Sequence, residues 1–241
     1  MDQIKVSYAP SEEGWSNFEE LIKDVLIKEC YRSVCEVGGG ANPSLPLEFV
    51  TEHGIEYSIL DISQEELNKA PAAYTKVCAD IEGLNFSPHG KYDLVFTRML
   101  AEHVRSGKKF HRNVYNLLRS GGRAVHFFPT LYAPAFVLNR LVPERFSSAF
   151  VHFLQPGRDL SGRQGKFPAY YSWCRGPTRR QFSRFERLGF AVERYVGFFG
   201  YGGYYRKVKP IWMLHLRLAE WLASHPLNQL TSFSWVILRK P

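Results

Sequence analysis

Between Ser33 and Pro43 the chain reads Ser-Val-Cys-Glu-Val-Gly-Gly-Gly-Ala-Asn-Pro. A short β-branched run carrying Glu36 stops at three glycines and a turn, the pattern of a strand that ends at a bare loop. Glycine there permits φ > 0 and leaves no Cβ in the way of a ligand approaching the backbone. Asp61 stands 21 residues beyond Gly40, about where nucleoside-binding α/β folds place the carboxylate that holds the ribose hydroxyls. Asp80 closes a further short apolar run. Together these residue types suit a small charged molecule, although a tight strand-to-helix turn without a ligand would use the same glycines, and acids at strand ends are often simply solvated. Two phosphate-binding patterns do not fit: Pro43 stands where G-x-G-x-x-G wants its third glycine, and no Gly-Lys-Ser/Thr follows to make a P-loop.

The elements that position these residues are legible in the spacing. Residues 15–31 carry Phe18, Leu21, Ile22, Val25 and Leu26 at helical intervals and lead into the first strand. Residues 43–52 form a helix stopped by His53-Gly54. A second strand, 56–61, ends on Asp61, and Ser63-Gln64-Glu65-Glu66 is a capping box for the next helix. Further strands are expected over 76–81, 92–97, 123–128, 191–198 and 231–238, with helices over 108–118, 177–189 and 211–223. Residues 1–14 read as an irregular arm from which Tyr8 could cover the mouth of a site. Strands alternating with helices at this pitch predict an α/β fold with a largely parallel sheet and helices on both faces. In such a sheet the ligand lies beyond the carboxyl ends of the strands, where Glu36, Asp61, Asp80, Thr97 and Arg98 fall.

Glu36-x-Gly38-x-Gly40-x-Asn42 resembles motif I of the class I S-adenosylmethionine (SAM)-dependent methyltransferases. Tyr57 to Ser63 is similar to that family's second strand with its ribose acid, and Asp80-Ile81 to the pair flanking the adenine. Tyr92 to Phe96 with Glu102-His103-Val104 resembles the fourth strand and its sequel, and Leu117 to Arg123 the lead into the fifth. The resemblance covers about residues 15–128. It implies a seven-stranded Rossmann-like sheet of order 3-2-1-4-5-7-6 with an antiparallel seventh strand. It also implies SAM as cofactor: Gly38, Gly39 and Gly40 would hold its methionine end, helped by Glu36, with Asn42 replacing the commoner glycine. Asp61 would take the ribose hydroxyls, Asp80 the adenine amino group and Ile81 an adenine face, with Ile62 and Thr97 completing the cofactor set. The whole chain, 1–241, then reads as a single methyltransferase domain: a SAM-binding half over 15–128, an acceptor lid inserted over 129–176, and C-terminal strands with an amphipathic helix over 177–241.

Charge divides the chain in the same way. The first 100 residues hold 8 basic and 17 acidic residues, a balance of −9, and the other 141 hold 23 and 6, a balance of +17. A cationic sulfonium suits the acidic half, and the basic half invites an anionic substrate, a membrane face or nucleic acid. Arg140, Arg145, Arg158, Arg163, Lys166 and Arg175 populate the lid, and guanidinium forks bind carboxylates and phosphates bidentately. The expected acceptor is therefore an anionic small molecule, a phosphorylated or nucleotide-linked sugar or a carboxylate metabolite, methylated on oxygen and held by Arg140, Arg158, Arg163 and Tyr170. An alcohol acceptor needs a base. His103 is the first candidate, followed by His126 and His152, although a structural hydrogen bond is an equally good reading of the Glu102-His103 pair.

Other classes fare less well. Neither a membrane-spanning run nor a signal-peptide core is present in the sequence given. The four cysteines show no metal-ligand spacing and read as buried, reduced thiols of a cytoplasmic protein. Nucleic-acid methylation is disfavoured despite a pI near 9.3, because Thr97-Arg98-Met99-Leu100 replaces an N/D-P-P-Y/F motif after the fourth strand. The alternative from a different class is a SAM-fold protein without turnover, docking on anionic membrane or lipid-linked glycan. The 211–223 helix, apolar around much of its circumference, fits core packing, a membrane interface or a homodimer seam.

Overall fold

The computed structural model describes residues 4–83, 90–131, 168–200 and 209–241. The expected lid residues Arg140, Arg145, His152, Arg158, Arg163 and Lys166 lie outside the described residues.

In chain order the elements are β1 (Lys5–Pro10), α1 (Ser11–Ser16), α2 (Phe18–Lys28), β2 (Ser33–Val37), α3 (Leu47–Glu52), β3 (Glu56–Asp61), α4 (Gln64–Lys69), β4 (Thr75–Cys78), β5 (Tyr92–Arg98), a 3₁₀ turn at Ala101–His103, α5 (Gly107–Leu117), β6 (Leu118–Pro129), α6 (Arg179–Glu186), β7 (Ala191–Phe199), α7 (Lys209–Ser224) and β8 (Phe233–Arg239). Among the described residues they build an eight-stranded sheet of order β1-β7-β8-β6-β5-β2-β3-β4. Strands β2 to β8 reproduce the expected 3-2-1-4-5-7-6 order, and β8 runs antiparallel to both β6 and β7.

The eighth strand corrects the sequence reading. Residues 5–10 are not an irregular arm: they pair in parallel with β7 from Lys5↔Arg194 to Pro10↔Phe199. Partnership with β7 supplies their hydrogen bonds, and Lys-Val-Ser-Tyr alternates polar and apolar over four residues only, too short a run before Ala9-Pro10 to announce a strand by itself. Pro10, which cannot donate, ends this edge strand and directly precedes α1. The single helix expected over 15–31 is likewise two, broken at Asn17. After α5 the chain enters β6 at Leu118 with no intervening loop, earlier than expected, because Leu118 pairs with Tyr92 across a register shift.

Both faces of the sheet are covered, so central strands are buried on each side. In β2, Cys35 and Val37 join a core with Phe110, Val114, Leu117 and Phe185 from α5 and α6. Val34 faces the opposite core, built with Phe18, Ile22, Leu26, Val50 and Leu67 from α2, α3 and α4. Of the cysteines, Cys35 and Cys174 are buried, but Cys30 and Cys78 are exposed, contrary to the expectation of four buried thiols. Both exposed thiols sit just beyond or at the end of their element, where packing ceases.

Candidate active site at the carboxyl edge of the sheet

Register brings the acids together. Glu36 is opposite Ile59 on β3 and Phe96 on β5, and Asp61 is opposite Cys78. The carboxyl ends of β2, β3, β4 and β5 therefore form one edge, and the 38–42 loop lies across it.

Two glycines of that loop are in the left-handed region, Gly38 at φ +81° and Gly40 at φ +44°. A Cβ on Gly38 would stand 2.6 Å from Leu100 Cδ1, and one on Gly40 would stand 3.2 Å from Asp61 Oδ2. The loop thus needs glycine for its backbone angles and for the close approach of two neighbouring side chains. Gly38 N–H donates to Leu60 O at 2.7 Å, and Asn42 N–H to Gly39 O at 2.9 Å. Asn42 therefore closes the turn with its backbone.

Glu36 sits beneath the loop, 2% exposed. Its Oε1 accepts from Ser44 Oγ at 2.5 Å, and its Oε2 accepts from Ser44 N–H at 2.9 Å and from the Tyr57 hydroxyl. Burial raises its pKa, and the Ser44 and Tyr57 hydrogen bonds offset part of that cost. A Cβ on Gly39 would strike the Glu36 carboxyl at 2.9 Å. The carboxylate is a buttress that fixes the loop from below, with its oxygens already engaged by the chain. Ser44 and Tyr57 were missed in the sequence; the position of Ser44, directly after Pro43 in the same loop, was the available signal.

Asp61 is half-buried. Its Oδ1 accepts from Ser63 N–H at 2.9 Å, while Oδ2 is turned towards Gly40. Ser63 caps α4 through Oγ, accepting from Glu66 N–H at 3.2 Å, as the capping box predicts. Ile62 is largely exposed beside it. Asp80 lies exposed just past β4 and accepts from Glu82 N–H at 2.8 Å, with Ile81 buried next to it. This 80–83 turn is held at two points. Asn113 Nδ2 donates to Ile81 O at 2.7 Å, and Glu82 accepts from Arg105 N–H at 2.9 Å and Ser106 N–H at 2.6 Å, at the start of α5.

Thr97 and His126 are brought together, but inside the core. Both are fully buried, with Thr97 Oγ1 2.9 Å from His126 Nδ1. Burial, reinforced by the neighbouring His111, pulls the His126 imidazole well below its usual pKa, and burial takes His111 down to about 4. Neither Nε2 has a hydrogen-bond partner among the described residues. An acceptor arriving from solvent meets neither ring, so His126 does not stand where a general base must.

His103 does stand at the rim. Its side chain is one-third exposed, Nδ1 lies 3.1 Å from Pro168 O, and Nε2 lies 3.6 Å from Glu102 Oε1. Glu102 is buried and burial pushes its carboxyl up to about 8. Tyr170 joins the same corner: its N–H donates to Glu102 O at 2.7 Å, and its hydroxyl accepts from Arg105 Nε at 3.2 Å. Met99, between β5 and this corner, holds a left-handed φ of +54°, strain that a non-glycine residue bears at a sharp exit from the strand.

Residues 35–126 match the methyltransferase domain family. No curated protein matches the sequence. Among solved structures, a SAM-dependent methyltransferase from Archaeoglobus fulgidus is 19% identical, with 95% of this chain and 97% of that one covered at a TM-score of 0.51. A protein described as a sarcosine dimethylglycine methyltransferase from Galdieria sulphuraria is 12% identical, covering 95% and 87% at 0.54. The [4+2]-cyclase SpnF is also 12% identical, covering 92% and 81% at 0.53. These likenesses concern the fold.

Proposed function

We propose, from the match of residues 35–126 to the methyltransferase domain family and from a fold shared with SAM-dependent methyltransferases, that the protein is an enzyme with SAM as its cofactor and methylates an oxygen of a small anionic acceptor. The reading rests on one observation above the rest: Asp61 turns a carboxylate oxygen onto the glycine loop, within 3.2 Å of where a Gly40 Cβ would stand. A bare loop and a facing acid suit a cationic nucleoside.

In this reading SAM supplies an activated methyl carbon. The backbone of Gly38, Gly39 and Gly40 takes its methionine end, with Glu36 stiffening the loop from beneath rather than reaching the ligand. Asp61 takes the ribose hydroxyls, Asp80 the adenine amino group and Ile81 an adenine face, with Asn42 closing the turn and Ile62 shielding the ribose side. Thr97 contributes as support for the end of β5, through His126. Much of the rate enhancement comes from holding the acceptor oxygen in line. His103, whose Nδ1 lies 3.1 Å from Pro168 O and whose Nε2 lies 3.6 Å from Glu102 Oε1, is the candidate to take the proton that an acceptor hydroxyl releases, an office suited to imidazole. Tyr170 and Arg105 are the polar groups beside it, and Arg140, Arg158 and Arg163 supply the anion-binding charge.

The test is a mass-spectrometric screen of phosphorylated sugars, nucleotide-linked sugars and carboxylate metabolites for the gain of one methyl group, with Asp61→Ala as the blank. Calorimetry runs alongside: SAM binds the wild type, and Asp61→Ala weakens it by roughly tenfold or more, the value of a buried charge-assisted hydrogen bond. No SAM binding by the wild type would sink the reading. An unchanged acceptor KM in Arg158→Ala and Arg163→Ala would remove the anionic acceptor alone.

A further inference from the structure

Helix α7 (Lys209–Ser224) packs across the outer edge of the sheet, and only half of it is used in doing so. Ala219 and Leu222 are buried in a small cluster with Phe199 and Tyr8. A Cβ on Gly200 would stand 2.8 Å from Ala219 Cβ, so the middle of the helix lies against the carboxyl end of β7. Strand β7 is antiparallel to β8 and β8 to β6, so this end is the one that carries the glycine loop.

The other face is turned outward. Met213 is 53% exposed, Leu214 69%, Leu218 51% and Trp221 53%. At 100° per residue these four and Arg217 fall within one stripe spanning less than half of the helix, opposite Ala219. Trp221 stacks on His225 with ring centroids 5.0 Å apart, so its indole is held in place on that stripe. Leu227 and Leu230, both exposed, follow directly in sequence.

We propose that this face docks the protein on the surface of an anionic lipid bilayer. The argument is one of chemistry and size. Large apolar side chains together with an amphipathic tryptophan and an arginine that can extend its charged head past its own apolar stem are the side chains of a helix lying in the headgroup region. The charge is right for it: Arg206, Lys207 and Lys209 immediately precede the stripe in sequence, and Arg217 lies within it, against Glu220 as the single acid between 206 and 225. Basic residues beside an inserted apolar face bind acidic headgroups. A second copy of the chain fits less well. The helix is about 24 Å long and about 10 Å across, a footprint on the order of 250 Å², against about 800 Å² per partner in a stable interface. Nor does the helix cross the bilayer: no described helix is long and apolar enough to do so. The inference is independent of the acceptor assigned above, and it presents the carboxyl edge of the sheet beside the membrane.

The experiment is flotation of the full-length protein with vesicles of phosphatidylcholine alone and of phosphatidylcholine with phosphatidylserine in equal parts, at low and high salt. Expected is co-flotation with the acidic vesicles, weakened by salt. Leu214→Ser with Trp221→Ser reduces it on the order of tenfold or more, and Arg217→Glu reduces it severalfold. Both variants keep wild-type melting temperature and SAM binding, since the substituted side chains are exposed and lie on the far edge from Asp61. No flotation of the wild type with acidic vesicles overturns the proposal. So does a wild-type dimer in light scattering that Leu214→Ser with Trp221→Ser converts to monomer without any change in vesicle binding; that result assigns the face to a second copy.

Discussion

Glu102, His111 and His126 are buried titratable groups, and their environments set opposing pH dependences. The folded chain keeps the imidazoles neutral, His111 down to about 4 and His126 well below the ordinary imidazole value of 6.5, whereas the unfolded chain protonates both below 6.5. Stability present above pH 6.5 is therefore lost as pH falls towards 4. Glu102 acts in the other sense. Its folded pKa is raised from 4.5 to about 8, so the folded chain keeps a proton that the unfolded chain releases, and stability declines as pH rises from 4.5 to 8. Two groups outweigh one below pH 6.5, and Glu102 acts alone above it. Glu36 is raised by burial in the same sense as Glu102, with its Ser44 and Tyr57 hydrogen bonds holding that rise back, so the two imidazoles still set the acid limb. The melting temperature should thus peak near pH 6.5. Glu102→Gln should abolish the decline between 6.5 and 8, a gain of up to about 5 kcal/mol at the alkaline end by linkage, and steepen the limb between 4.5 and 6.5, where Glu102 opposes the imidazoles. Thermal denaturation from pH 4 to 9 decides it: equal alkaline limbs in the two proteins mean that Glu102 is not held protonated.

Among the elements, the junction of β2 with its loop carries the sharpest constraint. Gly38 combines φ +81° with a Cβ position 2.6 Å from Leu100 Cδ1. Gly38→Ala should cost about 2 kcal/mol in stability, from the left-handed backbone and the clash together, and should weaken SAM binding because the loop moves. In Gly38→Ala with Leu100→Ala the clash disappears and the backbone strain remains. The double variant should lose less than the sum of the two single losses, a coupling that urea titration of all four proteins measures. Strict additivity would place Leu100 elsewhere than over the loop. Much of this edge was readable beforehand, since Glu36, Asp61 and Asp80 each close a short apolar run. What was not readable was the use of Glu36: Tyr57 and Ser44 consume its oxygens because β3 lies beside β2 in a register that the β-pattern of either strand does not state. The same holds for β1, whose six residues become a strand only where β7 offers an edge.

Across the whole molecule the charge is segregated, −9 over the first 100 residues and +17 over the rest. On the reading proposed, the cofactor meets the acidic part, where Glu36 is buried and Asp61 half-buried, so salt screens weakly there. The acceptor, on the reading proposed, meets the basic part, where charges exposed to solvent are screened within about 8–10 Å at ordinary ionic strength. Raising salt should therefore increase the acceptor KM severalfold while changing the SAM dissociation constant by about twofold or less. Steady-state kinetics and calorimetry over one salt series separate the two, and equal sensitivity of both would mean that the segregation has no part in substrate choice.

By itself the sequence determined the order of strands and helices from α2 onward, the bare loop after Glu36 and the acids at neighbouring strand tips, because hydrophobic period, glycine and capping residues act over a few positions of chain. Only the tertiary structure decided which groups reach the open edge. His126 and His103 are both imidazoles near strand ends, yet one is sealed between the sheet and α5 and the other stands at the rim beside Pro168. Alternation along a strand says that a side chain points to one face or the other, and in a sheet covered on both sides either face can be core. Depth is a property of what packs on top, and that is settled by residues far away in the chain.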